Sequence, residues 1–374
     1  MTPLPPVDTK WQVPVAVEAL AFFAIQQSAS LAERFGKPHR PGQPHQPFTT
    51  MEFIHYLADH DQLSERIQAR RRSIEIQQFL TAMEHAGLLL NSGRDMASST
   101  SLFNAAYWGI GRVFKSQTAG LLWLSEAVGP SLIIEAYGAV TAPVAKPGEQ
   151  GIGSGLVLDR WHILTNKHVV EGLNIVAGDQ LETPKVPAPS VVVGDPSNPW
   201  HQPPASVRVA RPLCHDDLDV AVIELEQTGD GLNSLGGIVF RDPTSTDKAS
   251  VFGYPPVPTL RDAYMLAHGG EVMNTRVLTR QSGEVVNPVV ESQQYQKFFM
   301  YSSTSRPGNS GGPIVAQDGR VIGIVAHLPY DQADEDDTPE YYRGIPGGEV
   351  IRAVNQLGKG DLVKLEDWEI ATPE

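Results

Sequence analysis

The apolar positions change period once along the chain. In the first third they recur at helical spacing: Val15, Ala19, Phe22, Phe23 and Leu31 share one face over residues 14–35. Pro38, Pro41, Pro44 and Pro47 then make an irregular connector. Thr49, with Glu52 three residues on, marks a capped start for a helix over residues 51–58. Ile74, Ile76, Phe79, Leu80, Met83 and Leu88 line the buried side of a third helix over residues 73–89, and another is expected at 119–127. From about residue 153 the apolar runs become short and are bounded by Gly, Pro and charged residues. Leu156-Val157-Leu158, Ile163-Leu164, Val220-Ala221-Val222-Ile223, Ile314-Val315-Ala316 and Val321-Ile322-Gly323-Ile324-Val325 have strand length. The pattern therefore predicts an α+β chain, with helices at the front and strands further on.

Charge sharpens that division. The first 128 residues hold 11 basic and 11 acidic side chains, so the whole net charge of −14 lies in the rest. An acidic surface disfavours nucleic acid and anionic lipid as nonspecific partners. At 374 residues the chain has room for two or three domains. Cys214 is the single cysteine, so no intrachain disulfide can form, which points to a reducing compartment. The N-terminus lacks the basic start of a signal peptide. The apolar stretch 13–25 is interrupted by Glu18 and is shorter than the roughly 20 residues a membrane span needs. A cytoplasmic location is expected.

Three segments carry chemistry. They are Leu164-Thr165-Asn166-Lys167-His168-Val169-Val170, Asp217-Leu218-Asp219-Val220-Ala221-Val222-Ile223, and Gly308-Asn309-Ser310-Gly311-Gly312-Pro313. They supply a base, a carboxylate and a hydroxyl in the order His168, Asp219, Ser310. A serine hydroxyl needs a base to take its proton and a third group to hold that base in one tautomer. It also needs N–H donors aimed at the developing oxyanion, and the glycines around Ser310 let Gly308 and Ser310 offer theirs. Asp216 and Asp217 compete with Asp219, which is preferred because the apolar alternation begins directly after it. His162 and His215 read as solvent-facing or structural; His327 reads equally as a substrate contact or a structural residue. With no His-Glu-x-x-His helix and no cysteine cluster, the sequence calls for no metal and no cofactor.

These segments resemble the trypsin-like serine peptidases, and within them the bacterial HtrA-like group. Gly153-Ser154-Gly155-Leu156-Val157-Leu158, Val321-Ile322-Gly323-Ile324-Val325 and Arg343-Gly344-Ile345-Pro346 add to the likeness, which covers about residues 129–358. It implies a double six-stranded antiparallel β-barrel with a cleft between the barrels, and peptide-bond hydrolysis through an acyl-enzyme on Ser310. By family position Thr304 and Ser305 line the base of the primary specificity pocket and Val325 its wall. No carboxylate stands at that base and no histidine at the Val325 position, so a small or medium uncharged residue is the expected preference. HtrA-like chains usually continue into a PDZ domain, whereas only residues 359–374 remain here as a tail. Asn309 stands where zymogen-activated trypsins carry an acid that pairs with a newly cut N-terminus. An amide cannot form that pair, so control is expected through ordering of the Gly308 loop.

The expected domains are residues 1–96, helical and resembling a winged-helix or helix-turn-helix module; 97–128, a helical connector; 129–358, the peptidase; and 359–374. Arg70-Arg71-Arg72 ahead of the third helix reads either as a phosphate contact or as a solvated turn. Six acidic residues against four arginines over residues 48–93 favour the solvated turn. The acidic loop 331–340 would bias subsites toward basic residues or merely be solvated. The leading expectation is a cytoplasmic serine endopeptidase acting on protein or peptide, with a regulatory protein or ligand at the N-terminal domain, in bacterial stress or defence. Two alternatives stay open: a DNA-binding regulator that cuts itself or a partner, and a non-catalytic peptide-binding scaffold.

Overall fold

The computed structural model describes residues 9–24, 29–37, 46–59, 67–94, 103–109, 125–148, 152–183, 206–229, 231–235, 238–245, 247–255, 279–291, 297–326 and 341–365. The chain divides into two units. Unit 1 comprises Met1–Lys115, Leu124–Leu132 and Trp368–Glu374; unit 2 comprises Ser116–Trp123 and Ile133–Asp367. His327, the acidic loop 331–340, the Pro-rich stretch 184–204 and residues 119–124 lie outside the described residues.

In unit 1, helix α1 (Thr9–Phe22) contains Pro14 rather than starting at it. The extra N-terminal turn carries Trp11, which is buried, packs edge-on against Phe79 at 5.8 Å and lies under the Arg72 guanidinium. That packing outweighs the hydrogen bond Pro14 cannot donate. The expected single helix to residue 35 is instead α1 and a separate α2 (Ala29–Arg34). Strand β1 (Phe48–Thr49) runs into α3 (Thr50–Ala58) through the expected capping box. Glu52 N–H donates to Thr49 Oγ1 at 3.2 Å, and Thr49 N–H to the Glu52 carboxylate at 2.6 Å.

Helix α4 (Ser73–His85) buries Ile76, Phe79, Leu80 and Met83 as expected, but Ile74 is 63% exposed. The helix stops before residue 89 because Gly87 takes φ +71°. Leu88 N–H then bonds Met83 O and Gly87 N–H bonds Glu84 O, which satisfies the last carbonyls. Two strands follow, β2 (Leu89–Arg94) and β3 (Ala105–Gly109). The sheet order is β1-β3-β2, all antiparallel. The segment read from sequence as a connector thus supplies the middle strand. Up to residue 109 the described element order is therefore α1, α2, β1, α3, α4, β2 and β3. Helix α5 (Ser125–Val128) also belongs to this unit.

Unit 2 begins with most of α6 (Ser131–Val140), whose Tyr137 hydroxyl donates to Gly319 O at 2.7 Å. Its first barrel contains β4 (Thr141–Val144), β5 (Gly153–Asp159), β6 (His162–Thr165), helix α7 (Lys167–Gly172), β7 (Gln180–Glu182), β8 (Ser206–Cys214) and β9 (Ala221–Leu225). The strand order is β4-β5-β6-β9-β8-β7. Glu182 N–H donates to Ala145 O at 3.0 Å across the remaining gap, so this barrel is nearly closed.

The second barrel uses β11 (Lys248–Gly253), β12 (Thr279–Glu291), β13 (Lys297–Tyr301), β14 (Pro313–Ala316), β15 (Val321–Val325) and β16 (Tyr342–Pro346); β10 (Val239–Phe240) precedes them. The ring β14-β11-β12-β13-β16-β15 closes through β14–β15 pairing. Val251, Phe299, Tyr301, Ile314, Ile322 and Val325 fill its core. The chain then forms helix α8 (Gly347–Gln356) and strand β17 (Lys364–Leu365). β10 pairs in parallel with both β15 and β17, so part of the expected tail joins the sheet. The two expected six-stranded antiparallel barrels are present, and the described chain is α+β. No helix among the described residues is long and apolar enough to cross a membrane.

A buried ion cluster braces the far end of the second barrel. The Arg241 guanidinium bonds both Asp247 oxygens at 2.7 and 2.8 Å and Asp318 at 2.9 Å, and Arg320 reaches Asp318 at 3.1 Å. Burial raises the Asp247 pKa, but the bonds from Arg241 and from Thr244 N–H prevail and hold it below the usual carboxylate range.

Candidate active site

Pairing of β6 with β9 sets Thr165 opposite Ala221. His168 lies three residues after Thr165, on α7, and Asp219 two residues before Ala221, so the register alone brings them together. Asp219 grips His168 at two points. One carboxylate oxygen accepts the His168 backbone N–H at 2.9 Å; the other lies 2.7 Å from its Nδ1. Asn166, fully buried, holds the Asp219 carbonyl at 2.8 Å. A carboxylate can only accept, so Nδ1 carries the proton and Nε2 is left as the acceptor. Asp216 and Asp217 are exposed, and it is Asp219, not they, that meets the imidazole.

Ser310 comes from the turn between β13 and β14. Gly308 has φ +99°, and a Cβ there would stand 2.7 Å from Tyr254 O. Gly311 has φ +81°, and a Cβ would collide with Thr165 Oγ1 and Ser154 O on the first barrel. Only glycine allows that approach. Ser154 of β5 then clamps the turn. Its N–H donates to Ser310 O at 2.8 Å, and its hydroxyl donates to Gly308 O at 2.6 Å while accepting Tyr254 N–H at 2.9 Å. Its carbonyl accepts the Thr165 hydroxyl at 2.7 Å. On the other side Gly311 N–H bonds Val325 O and Val325 N–H bonds Gly312 O. The N–H groups of Gly308 and Ser310 donate to no described residue. Sequence reasoning gave Ser154 no role. The trace it leaves is a small hydroxyl residue between two glycines, each too crowded for a side chain.

Burial alternates along the approach to the turn: Tyr301 and Ser303 are buried and Ser305 half-buried, while Ser302, Thr304 and Arg306 are exposed. Thr304 and Ser305 therefore point to opposite sides of the strand-like segment, and Val325 is buried. Asn309 is buried, and its side-chain amide has no partner among the described residues. His162 pairs with Asp159 at 2.8 Å, with Lys359 3.4 Å from its other ring nitrogen. Burial raises the Asp159 pKa, yet the His162 and Trp161 N–H bonds win and lower it. His215 is buried inside the loop that carries Asp219. Burial pushes the Cys214 thiol up, away from a reactive thiolate. Among the described residues no three His, Cys, Asp or Glu side chains are placed to hold a metal.

Residues 153–324 match the family model described as Trypsin-like peptidase domain. A curated relative named "Putative serine protease HhoB", from Synechocystis sp., is 26% identical over 200 residues, 50% of this chain and 37% of that protein. Another, "Uncharacterized protein y4bJ" from Sinorhizobium fredii, is 25% identical over 183 residues, 48% of this chain and 22% of that protein. The chain thus spans well under half the length of these two relatives. Among solved structures, the Rv3671c protease of M. tuberculosis in its inactive form aligns with 60% of this chain and 92% of its own, at 18% identity and a TM-score of 0.38. The serine endoprotease from Yersinia pestis aligns with 60% and 65%, at 17% identity and a TM-score of 0.39. Residues 153–324 are thus similar to a trypsin-like peptidase domain, and the paired barrels have the architecture which that likeness implies.

Proposed function

We propose that the chain hydrolyses internal peptide bonds of proteins, with His168, Asp219 and Ser310 as its catalytic residues. Ser310 Oγ attacks the scissile carbonyl carbon as its proton passes to His168 Nε2. Asp219, holding Nδ1–H, stabilises the imidazolium. The N–H groups of Gly308 and Ser310 receive the developing oxyanion. His168 then gives the proton to the leaving amine, the C–N bond breaks, and Ser310 is left acylated. Water attacks the ester, its proton returning through His168 to Ser310 as the new carboxyl product leaves. The two-point grip of Asp219 on His168 carries this reading, because it fixes which ring nitrogen is the base. Cleavage of casein, followed by mass spectrometry of the fragments, tests it. The full chain should cut and Ser310→Ala should not; equal cutting by both would remove Ser310 from the nucleophile role.

Under the same reading Thr304 and Ser305 line the base of the primary specificity pocket and Val325 its wall, which favours a small or medium uncharged residue. The cytoplasm suits a chain with one cysteine, and residues 1–128 regulate the cleft or recruit the target, as in a bacterial stress or defence effector. The three-stranded sheet of unit 1, whose β2 and β3 follow α3 and α4, favours one further reading, a winged-helix module that binds DNA. The arginines weigh against it: Arg72 bonds Glu75 at 2.7 Å and covers Trp11, and Arg70 lies 3.9 Å from Asp59. Salt-dependent binding of duplex DNA by the full chain would reverse that preference.

A further inference from the structure

The loop between β8 and β9 carries Asp219 at its far end and is built around one side chain, His215. The imidazole Nδ1 accepts the N–H of Asp217 at 3.1 Å and that of Leu218 at 3.0 Å. An atom that accepts two N–H groups carries no proton, so the proton of the neutral ring sits on Nε2. Nε2–H then donates to the Gln356 side-chain carbonyl at the end of α8. The His215 backbone N–H closes the loop on Val220 O at 3.0 Å. One ring therefore does two things. It folds the loop, as an Asn or Asp side chain does in an Asx turn, and it ties that loop to a helix some 140 positions away in sequence.

We propose that His215 is a positioning residue for Asp219, acting through the loop backbone. Leu218, whose N–H it holds, immediately precedes Asp219, and Val220, whose carbonyl it closes on, immediately follows. Both flanks of the catalytic carboxylate are thereby fixed, while Asn166 holds the Asp219 carbonyl from the other side. Asp219 meets His168 through two bonds that demand one orientation, so a loop free to shift by a fraction of an ångström loses one of them. The cost falls on the transition state, where the imidazolium needs the carboxylate, and not on ground-state binding. An asparagine at this position could accept the two N–H groups through its carbonyl oxygen but, being shorter than imidazole, would give up the bond to Gln356.

The inference rests on the peptidase reading, and a fluorophosphonate probe separates the two. The full chain, His215→Ala, His215→Asn and Gln356→Leu are treated with the probe, and the maximal inactivation rate and the half-saturating concentration are measured for each. His215→Ala should lower the maximal rate about tenfold, the worth of one lost hydrogen bond at the triad, with half-saturation unchanged. His215→Asn should recover most of the rate by rebuilding the Asx turn. Gln356 is exposed, so Gln356→Leu leaves the fold standing and should lower the rate by a smaller factor, even if His215→Ala fails to fold. A maximal rate within twofold of the parent in both His215→Ala and Gln356→Leu overturns the inference, as does a change confined to half-saturation. A full chain that takes no label at all overturns the peptidase reading itself.

Discussion

At the scale of single residues, the account depends on which carboxylate orients His168. Three aspartates stand within four positions, and chain order cannot choose among them. Asp219→Asn should cut turnover about 10⁴-fold by presenting the wrong tautomer. Asp217→Asn should be mild, because Asp217 is exposed and uses only its backbone N–H in this loop. Steady-state rates on one peptide decide, and the reverse ranking would assign the orienting role to Asp217. The pairing of His168 with Asp219 was legible because the two sit at a strand end and at the start of an alternation, and the glycine-rich turn marks Ser310 as the proposed nucleophile. Ser154 and His215 were not. Ser154 clamps the turn through Gly308 and Tyr254, and His215 reaches Gln356; these partners lie more than 90 positions away, and no local pattern records them.

At the scale of elements, local chemistry and tertiary packing divide the outcome between them. The capping box at Thr49 and Glu52 could be read directly because both partners lie within one turn. The end of α4 was missed by four residues: apolar spacing continues through Leu88, but Gly87 adopts a left-handed φ and diverts the chain. β3 was missed because its strand character comes from lying between β1 and β2. The braced turn after β14 yields a prediction at this scale. Arg241→Ala leaves Asp247 and Asp318 buried with too little compensation, so it should destabilise unit 2 by about 3–5 kcal/mol in urea unfolding. The pH dependence follows from Asp247. Its folded pKa is depressed, so its stabilising contribution is full above the unfolded value near about 4 and is lost as pH falls through the lower folded value. The parent should therefore lose more stability than Asp247→Asn on acidification below about pH 5. Parallel acid profiles for the two would refute this role.

At the scale of the whole molecule, the barrels were legible and the front of the chain only partly so. The barrel pair followed from the resemblance of the His168, Asp219 and Ser310 segments to the trypsin-like group, whereas three amphipathic helices suit many packings until β1, β2 and β3 are seen as one sheet. If unit 1 regulates or targets proteolysis, deleting residues 1–128 should change cleavage of a protein substrate while the barrels still unfold cooperatively and Ser310 still reacts. Unchanged cleavage of both peptide and protein by a stably folded truncation would end the regulatory reading. The central claim is narrower: that the seam between the barrels holds an activated serine. The most direct measurement is mass spectrometric mapping of the full chain after exposure to a fluorophosphonate. The account predicts one adduct, on the peptide containing Ser310, lost in His168→Ala. A folded chain with no adduct on Ser310, or with equal labelling in His168→Ala, would contradict it.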